Sequence, residues 1–536
     1  MKYTAVIIGS GAAGLNAAYS LCLLGVKNIA IITEGLKYGT TYNSGSDKQT
    51  YYRLDTCSRD SIYDVAQTLY KGGTEGSQAM IEAAYSLPMF YRLVSLGLNF
   101  PKDKYGRYIG YRTDGDERKR GTSLGPWTSR MMWNALYNAV LPYSIPIIEG
   151  RAVRLMTDTG GVCGVKVKTK AGALDIYSEN VIMATGGAAS VYGKSVYPKT
   201  QTGGIGIALD AGARAVDLDR RQFGIAAIDA LWNLSGTYQQ AIPRYVTDEG
   251  EFLDKYGIDT VNRVFQKGYN WPFDSEKPSS EVDRAVLDLT AKGTSVYLDY
   301  TQNPKGYSTS AMDGETREYL QSAGAIEGRT PFERLNIMNP AAVALLREKN
   351  IDPERELIRI DVLLQHFNGG LLTDCNYMTE VEGLYAAGEC CGAFGKSRPG
   401  GSALNNAMVS SQRAAEHIAG KYGRNISPKP YGISLEEPED INKIRLGMDK
   451  FFTPANCNGE EKSEFVSYLE KARGGPVFED IRLTALALAL SEDKRRTAPK
   501  GHRVRVSVAN GSYTSDTARP LPPEEKEENF ELLLKG

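Results

Sequence analysis

The sequence predicts an α/β protein with a Rossmann-like domain split in the chain, an inserted α+β capping domain and a C-terminal mainly helical domain. The first observation is the opening strand, glycine-rich turn, helix and strand: Thr4 to Ile8, Gly9 to Gly14, Leu15 to Leu24, Asn28 to Thr33. That order is a βαβ unit. The second is a pair of short apolar runs far downstream. SENVIMATGG ends at Gly186 and Gly187, and EGLYAAGE ends at Gly388 and Glu389. Both read as parallel strands whose C-terminal ends meet a ligand, so the chain returns twice to one sheet. The third is the change of character between and after them.

From Asp217 to Gln365, polar loops broken by Pro243, Pro272, Pro278 and Pro304 enclose helical stretches such as Ser280 to Lys292, the pattern of an insertion. Pro428, Pro430 and Pro438 mark a linker, after which helical periodicity resumes at Ile441 to Phe452 and Glu461 to Arg473. The expected division is residues 1–216 with 366–420 for the nucleotide-binding domain, 217–365 for the cap, and 421–536 for a helical domain with a polar tail. In that tail SEDKRRTAPKGHRVRV and PLPPEEKEENFELLLKG carry opposing charge clusters, read as solvated faces. A chain of 536 residues has length enough for these domains and a large core.

Composition excludes several classes. Lys and Arg total 63 against 64 Asp and Glu, so there is no overall positive field for nucleic acid. With 42% apolar residues, 56 glycines and 32 tyrosines, the chain is ordered and turns tightly in many places. The seven cysteines, 22, 57, 163, 375, 390, 391 and 457, contain no C-x-x-C, which speaks against structural zinc, cysteine-ligated clusters and c-type haem. No metal is expected. The vicinal Cys390-Cys391 reads as small buried residues beside a cofactor strand, a redox pair being the other reading. LCLLGV and LTALALAL are too short to cross a bilayer, and the start MKYTAVIIGSGAAG lacks a signal-length apolar run. The expectation is a soluble, cytoplasmic protein without its own membrane anchor.

Gly9-Ser10-Gly11-Ala12-Ala13-Gly14 is a G-x-G-x-x-G between a strand and a helix, and Glu34 lies twenty residues beyond Gly14, at the end of the second strand. In that context Gly9 makes the turn, Gly11 lets backbone approach a pyrophosphate, and Gly14 lets helix pack on strand. Unpaired N–H groups of the helix start, including those of Ala12 and Ala13, favour phosphate, and Glu34 would accept ribose hydroxyls.

The long return to the nucleotide domain brings a family into view. HFNGGLLTDCNYMTEVEGLYAAGECCGAFGKSRPGGSALNNAMVSSQRAAEHIAG is similar, in the same order, to the His-x-x-Gly-Gly, Gly-Leu-Tyr-Ala-Ala-Gly-Glu and Arg-x-Gly-Gly-x-x-Leu series of one family. The chain therefore resembles the flavoprotein subunit family of succinate dehydrogenase and fumarate reductase, which includes L-aspartate oxidase and soluble enoate reductases. The resemblance implies FAD as the dinucleotide. Ala184, Thr185, Gly186 and Gly187 would flank it, Glu389 would bind the ribityl chain, and Ser402, Ala403 and Leu404 would face the isoalloxazine. The flavin loop falls on Thr40, Thr41, Ser44 and Gly45. Thr40 stands where membrane-bound relatives carry the histidine that attaches flavin, which implies non-covalent FAD.

By the same resemblance His366 binds substrate and Arg398 holds a substrate carboxylate, a task suited to a planar, permanently charged fork. Arg284 aligns with an arginine that donates a proton while flavin N5 exchanges hydride with the neighbouring carbon; an exposed helix face is its alternative. His417 and His502 read as packing or surface. The implied activity is hydride transfer between flavin N5 and the C=C or CH–CH of a small carboxylate, an oxidoreductase of the fumarate reductase type. Two alternatives stand beside it: a flavin oxidase or dehydrogenase resembling L-aspartate oxidase, and a non-catalytic electron-transfer subunit. The electron donor is open between NAD(P)H and a redox protein. Departures bear on the substrate. Gln222-Phe223-Gly224-Ile225-Ala226 stands where dicarboxylate-binding members have Gln-Phe-His-Pro-Thr, and Gly203 replaces the aspartate of Thr-Gly-Asp-Gly. The anchor for a second carboxylate is missing.

Overall fold

The structure is a computed structural model, and it describes residues 1–198, 201, 203–421, 423–426, 440–454, 459–509 and 512–524. The linker prolines 428, 430 and 438, Cys457 and the final acidic segment from 525 lie outside the described residues.

At its centre is a five-stranded sheet with the order Leu384–Ala386, Val181–Met183, Ala5–Ile8, Ile29–Thr33, Ile147–Glu149, and every neighbouring pair is parallel. All of these strands but Ile147–Glu149 are buried along their whole length. Runs such as AVII and IAIIT are apolar at every position because both faces of a parallel sheet are covered. One cover is the helix Ala12–Leu23, which packs on the helix Ser402–Ala419 through polar side chains sealed inside the contact. Asn16 Nδ2 donates to the Met408 carbonyl at 2.9 Å and to Ser411 Oγ at 2.8 Å. Nearly every residue of the first helix is buried, which explains its lack of an apolar stripe.

Lys2–Tyr3, Gly172–Ser178, Gly161–Thr169 and Arg151–Asp158 form a separate four-stranded sheet. The segment between the return strands builds a six-stranded sheet with the order Trp232–Asn233, Arg221–Ala227, Ile358–Phe367, Val296–Asp299, Arg244–Thr247, Gly250–Glu251. All its pairings are antiparallel. His366 is the penultimate residue of its central strand, paired with Gln222, and so the motif histidine sits on the cap's sheet where that sheet meets the nucleotide domain.

The C-terminal part holds the helices Ile441–Phe451, Glu460–Lys471 and Pro476–Thr497. It departs from the expected polar tail. Arg503–Ala509 and Ser512–Ala518 form a hairpin whose first strand pairs with Ala215–Val216, extending the sheet that also contains Gly370–Leu371. The period-two alternation of HRVRVSVA is the cause: Val504 and Val506 point inward at 0% and 1% exposure. Asp217 clamps this hairpin, taking bonds from Arg495 Nη2 at 2.6 Å, Arg503 Nε at 2.7 Å and the Val504 amide at 2.9 Å. No helix among the described residues is long and apolar enough to cross a membrane.

Candidate functional site

The strand Ala5–Ile8 runs into Gly9, whose φ is +113°. A Cβ there would lie 2.2 Å from the Ala184 carbonyl oxygen, and one on Gly14 would lie 2.0 Å from the Gly9 oxygen. Both glycines are dictated by backbone passing backbone. The helix that follows begins after Gly11 without a side-chain cap; the Ala12 amide reaches Thr41 Oγ1 at 3.1 Å. An uncapped helix start with its positive end over a cavity suits phosphate.

That cavity has a volume of about 300 Å³ and extends from the end of the second strand to the rim of the antiparallel sheet. Its walls include Gly9, Gly11, Ala12, Ala13, Glu34, Thr40, Thr41, Ser44, Gly45, Ala184, Thr185, Gly186, Glu389, Ala403 and Leu404. The other three expected cofactor residues lie just behind the wall. Gly14 sets the helix against the turn, Gly187 donates its amide to Glu389 Oε2 at 3.2 Å, and Ser402 opens the helix that carries Ala403. The site missed in the sequence comprises Tyr197, Gln201, Gly203, Arg151 and Asp480, which also line the cavity. Only the Gly203-Gly204 pair carried a sequence signal; the others arrive from loops, from the start of the strand Arg151–Asp158 and from the C-terminal helix.

The lining fits a dinucleotide. Thr185 Oγ1, Gln201 Nε2 and the Oγ of nearby Ser402 are buried with no hydrogen-bond partner, a state that is costly unless a ligand supplies one. Burial pushes the Glu34 carboxyl up, with Arg151 opposing and Asp480 reinforcing the shift. Its acceptor oxygens are turned to the cavity. His366 is the one histidine in the lining, and Thr40 at the loop offers no ring nitrogen for a flavin.

At the far end, His366 and Arg398 come together. Arg398 Nε donates to His366 Nδ1 at 3.2 Å. Burial, then the Arg398 charge, push the imidazole well below its ordinary range, so it is neutral at pH 7. Nδ1 lies between the Arg398 donor and Asn368 Oδ1 at 3.0 Å, and Nε2, without a hydrogen-bond partner, lies 3.6 Å from Glu389 Oε1. Glu389 in turn gathers the Phe367 amide at 2.9 Å, the Gly187 amide and the Tyr197 hydroxyl. Burial lowers the Arg398 guanidinium to about 10; it stays charged at pH 7. Its Nη groups form no ion pair with a described carboxylate, and its face lies 5.3 Å from the Trp271 ring.

Trp271 also explains the missing histidine. A Cβ on Gly224 would lie 3.0 Å from Trp271 Cδ1 and Nε1 and from Gln365 Oε1. The indole N–H donates to Gln365 Oε1, so the ring occupies the space over Gly224. Across the site the loop Thr113–Asp116 is pinned by the Gly400 amide, which donates to the Asp114 carbonyl at 2.8 Å. The Asp114 carboxyl is pushed up to about 7 by burial, with Lys277, Lys267 and Arg398 opposing. Behind the helix that begins at Ser402 lies Glu82, 1% exposed. It accepts from Asn406 Nδ2 at 3.1 Å and from Asn405 Nδ2 at 3.4 Å. Burial pushes it up to about 7 against these bonds and the Arg398 charge.

Arg284, the expected proton donor, is not among the residues lining the cavity. Its side chain is exposed on the helix Ser280–Ala291 and donates to the Ser275 carbonyl at 2.8 Å. The buried face of that helix belongs to Ser280, Val282, Asp283, Ala285 and Val286, and the hydrogen bond of Arg284 goes to Ser275, not to His366 or Arg398. Cys390 and Cys391 are buried free thiols; burial raises both, Cys390 to about 11, which keeps them protonated. Among the described residues no cluster of three or more His, Cys, Asp or Glu could hold a metal.

A family profile described as an FAD binding domain matches residues 4–404. L-aspartate oxidase of Agrobacterium fabrum is 28% identical over 430 residues, 78% of this chain and 73% of that protein. Among solved structures, Mycobacterium smegmatis Sdh1 superposes with a TM-score of 0.73 at 18% identity, over 98% of this chain and 95% of that one. E. coli quinol fumarate reductase FrdA gives 0.70 at 19% identity, over 98% of both. At such identities the structural likeness is one of fold.

Proposed function

The chain belongs to the FAD binding domain family, as an FAD-dependent oxidoreductase of the fumarate reductase and succinate dehydrogenase type, and from that premise we propose that it acts on a small carboxylate held by Arg398. The observation that carries this is the Arg398 guanidinium: charged, bonded through Nε to the cavity-lining His366, and with neither Nη group in an ion pair with a described carboxylate. Such a fork binds a carboxylate through parallel charge-assisted bonds. Bound FAD supplies hydride exchange with the carbon next to the one that gains or loses a proton.

The turn at Gly9 to Gly14 would hold the pyrophosphate, Glu34 the adenosine ribose, and the start of the helix at Ser402 the flavin end. The cofactor is non-covalent, since Thr40 lies at the loop and His366 is engaged by Arg398; acid precipitation should release it. The ring of Trp271 over Gly224 closes the place of a second anchor, so the substrate carries one carboxylate that is bound and an apolar body against the indole. With Arg284 outside, the proton comes from Asp114, whose carboxyl is half-protonated near pH 7.

A second reading, oxidation of a 2-amino acid, draws on the same Asp114. Ionised, it would face a substrate ammonium while Arg398 takes the carboxylate, and the sequence relatives named L-aspartate oxidases favour that direction. One experiment separates the two. Flavin is reduced and mixed anaerobically with enoic acids, and in parallel oxidised flavin is mixed with amino acids. Return of the oxidised band with a monocarboxylic enoate supports the main reading. Bleaching by an amino acid supports the second, and a response only to dicarboxylates overturns the role given to Trp271.

A further inference from the structure

The end of the cavity remote from Arg398 contains a carboxylate that neither the family motif nor the sequence pattern assigns. Asp480 lies in the first two turns of the C-terminal helix Pro476–Thr497. It is 3% exposed, yet it lines the same cavity as Glu34 and Arg151. It arrives because the backbone of this helix packs onto Gly206, where a Cβ would lie 2.1 Å from the Asp480 carbonyl oxygen.

Its carboxylate keeps acceptor capacity toward the cavity. Oδ1 accepts the Ile207 amide at 3.2 Å, and Oδ2 meets Arg151 Nη2 only at 3.5 Å. The Gly206 amide is a further donor to this carboxylate; an ionised carboxylate has about four acceptor sites, so one is left for a ligand and the Arg151 contact is long. Burial pushes Asp480 up, as it does Glu34. Two buried acids share one arginine here, giving this end a net negative character. That arrangement repels phosphate and suits a ligand group rich in neutral donors. A ribose diol supplies two O–H donors and an adenine amine supplies N–H. Phosphate is accommodated elsewhere, at the helix start after Gly11. Gly203 and Gly204 bring no side chain to the same wall.

We infer that Asp480 is an adenosine-binding residue, accepting from the nucleoside end of the dinucleotide together with Glu34, so that the C-terminal helix is part of the cofactor site. This rests on the family reading of FAD as the dinucleotide. Specificity follows: FAD is retained and FMN, which lacks the adenosine, gains nothing from this end.

The test uses the full-length apoprotein, titrated with FAD and with FMN by flavin absorbance, with ADP as competitor. Asp480→Asn keeps an oxygen for the Ile207 amide but replaces the second acceptor by a donor. FAD should bind about tenfold or more weakly, ADP should compete less well by a similar factor, and FMN affinity should be unchanged. Unchanged FAD affinity overturns the inference. So does an equal loss for FMN and FAD, which would make Asp480 only a prop for the Ile205–Asp210 helix. If the variant does not fold, wild-type protein decides through 2′-deoxy-ADP and 3′-deoxy-ADP. Competition equal to that of ADP from both overturns the inference, as does a difference that vanishes in Glu34→Ala; weaker competition from either that persists in Glu34→Ala supports it. Failure of wild-type apoprotein to bind FAD would instead sink the family-based reading.

Discussion

Glu82→Gln should remove a pH-dependent penalty from the fold. The Glu82 carboxyl is sealed at 1% exposure behind the helix that begins at Ser402, with only two asparagine amides as donors. Its folded pKa is about 7 against an ordinary 4.5. The folded state therefore holds a proton that the unfolded state has released across this window. The stabilising contribution is fully present below the ordinary pKa and is lost as pH rises through 7. At 1.36 kcal/mol per unit, the total is about 3 kcal/mol, of which about 2.5 falls between pH 5 and pH 8. Glutamine resembles the protonated acid in shape and does not titrate. The apoprotein of both forms is unfolded in urea at pH 5 and at pH 8, with the slope checked for constancy. Relative to wild type, the variant should gain about 2–3 kcal/mol on going from the lower to the higher pH. Parallel pH profiles would refute the reasoning, because they would mean that Glu82 titrates alike in both states.

Arg284→Ala should leave flavin content and turnover within about twofold of wild type, because an exposed side chain bonded to one surface carbonyl contributes within about ±0.5 kcal/mol; a hundredfold loss of kcat would return it to the mechanism. Arg398→Lys keeps the charge and loses the planar fork and the Nε bond to His366, so KM for the carboxylate should rise about tenfold or more, and an unchanged KM in steady-state assays would argue that substrate binds elsewhere. Gly14→Ala puts a methyl group 2.0 Å from the Gly9 oxygen; the turn must open, at a cost of about 1–3 kcal/mol, and the protein should purify depleted in flavin, whereas full flavin stoichiometry would contradict the close approach.

Much of the cofactor site was legible because it is built from local strings. The turn at Gly9 to Gly14, the acid at Glu34 and the two returning strands each depend on residues adjacent in sequence, and backbone geometry permits few alternatives there. His366 and Arg398 were legible for a different reason: both lie in one contiguous stretch with the cofactor strand between them. The hairpin after Arg503 was legible in principle from its alternation and was obscured by its charges, which point outward. Arg284 could not be placed from its string, since a helix with an arginine on one face and Val282 and Val286 on another does not say which face packs on its own sheet and which is left to solvent or a ligand.

What the sequence determined by itself is the doubly returning α/β scaffold and the dinucleotide turn, since steric limits on backbone and the burial of continuous apolar strands act within short segments. What only the tertiary structure decided is the composition of the two cavity ends. Asp480 and Glu34, Trp271 and Gly224, and Asp114 and Arg398 are separated by tens to hundreds of residues. They meet only because the C-terminal helix, the cap and the Thr113–Asp116 loop pack onto one sheet. Burial there sets which carboxyls hold protons and which arginine remains open to a substrate, and burial is a property of the packed molecule that no single segment carries.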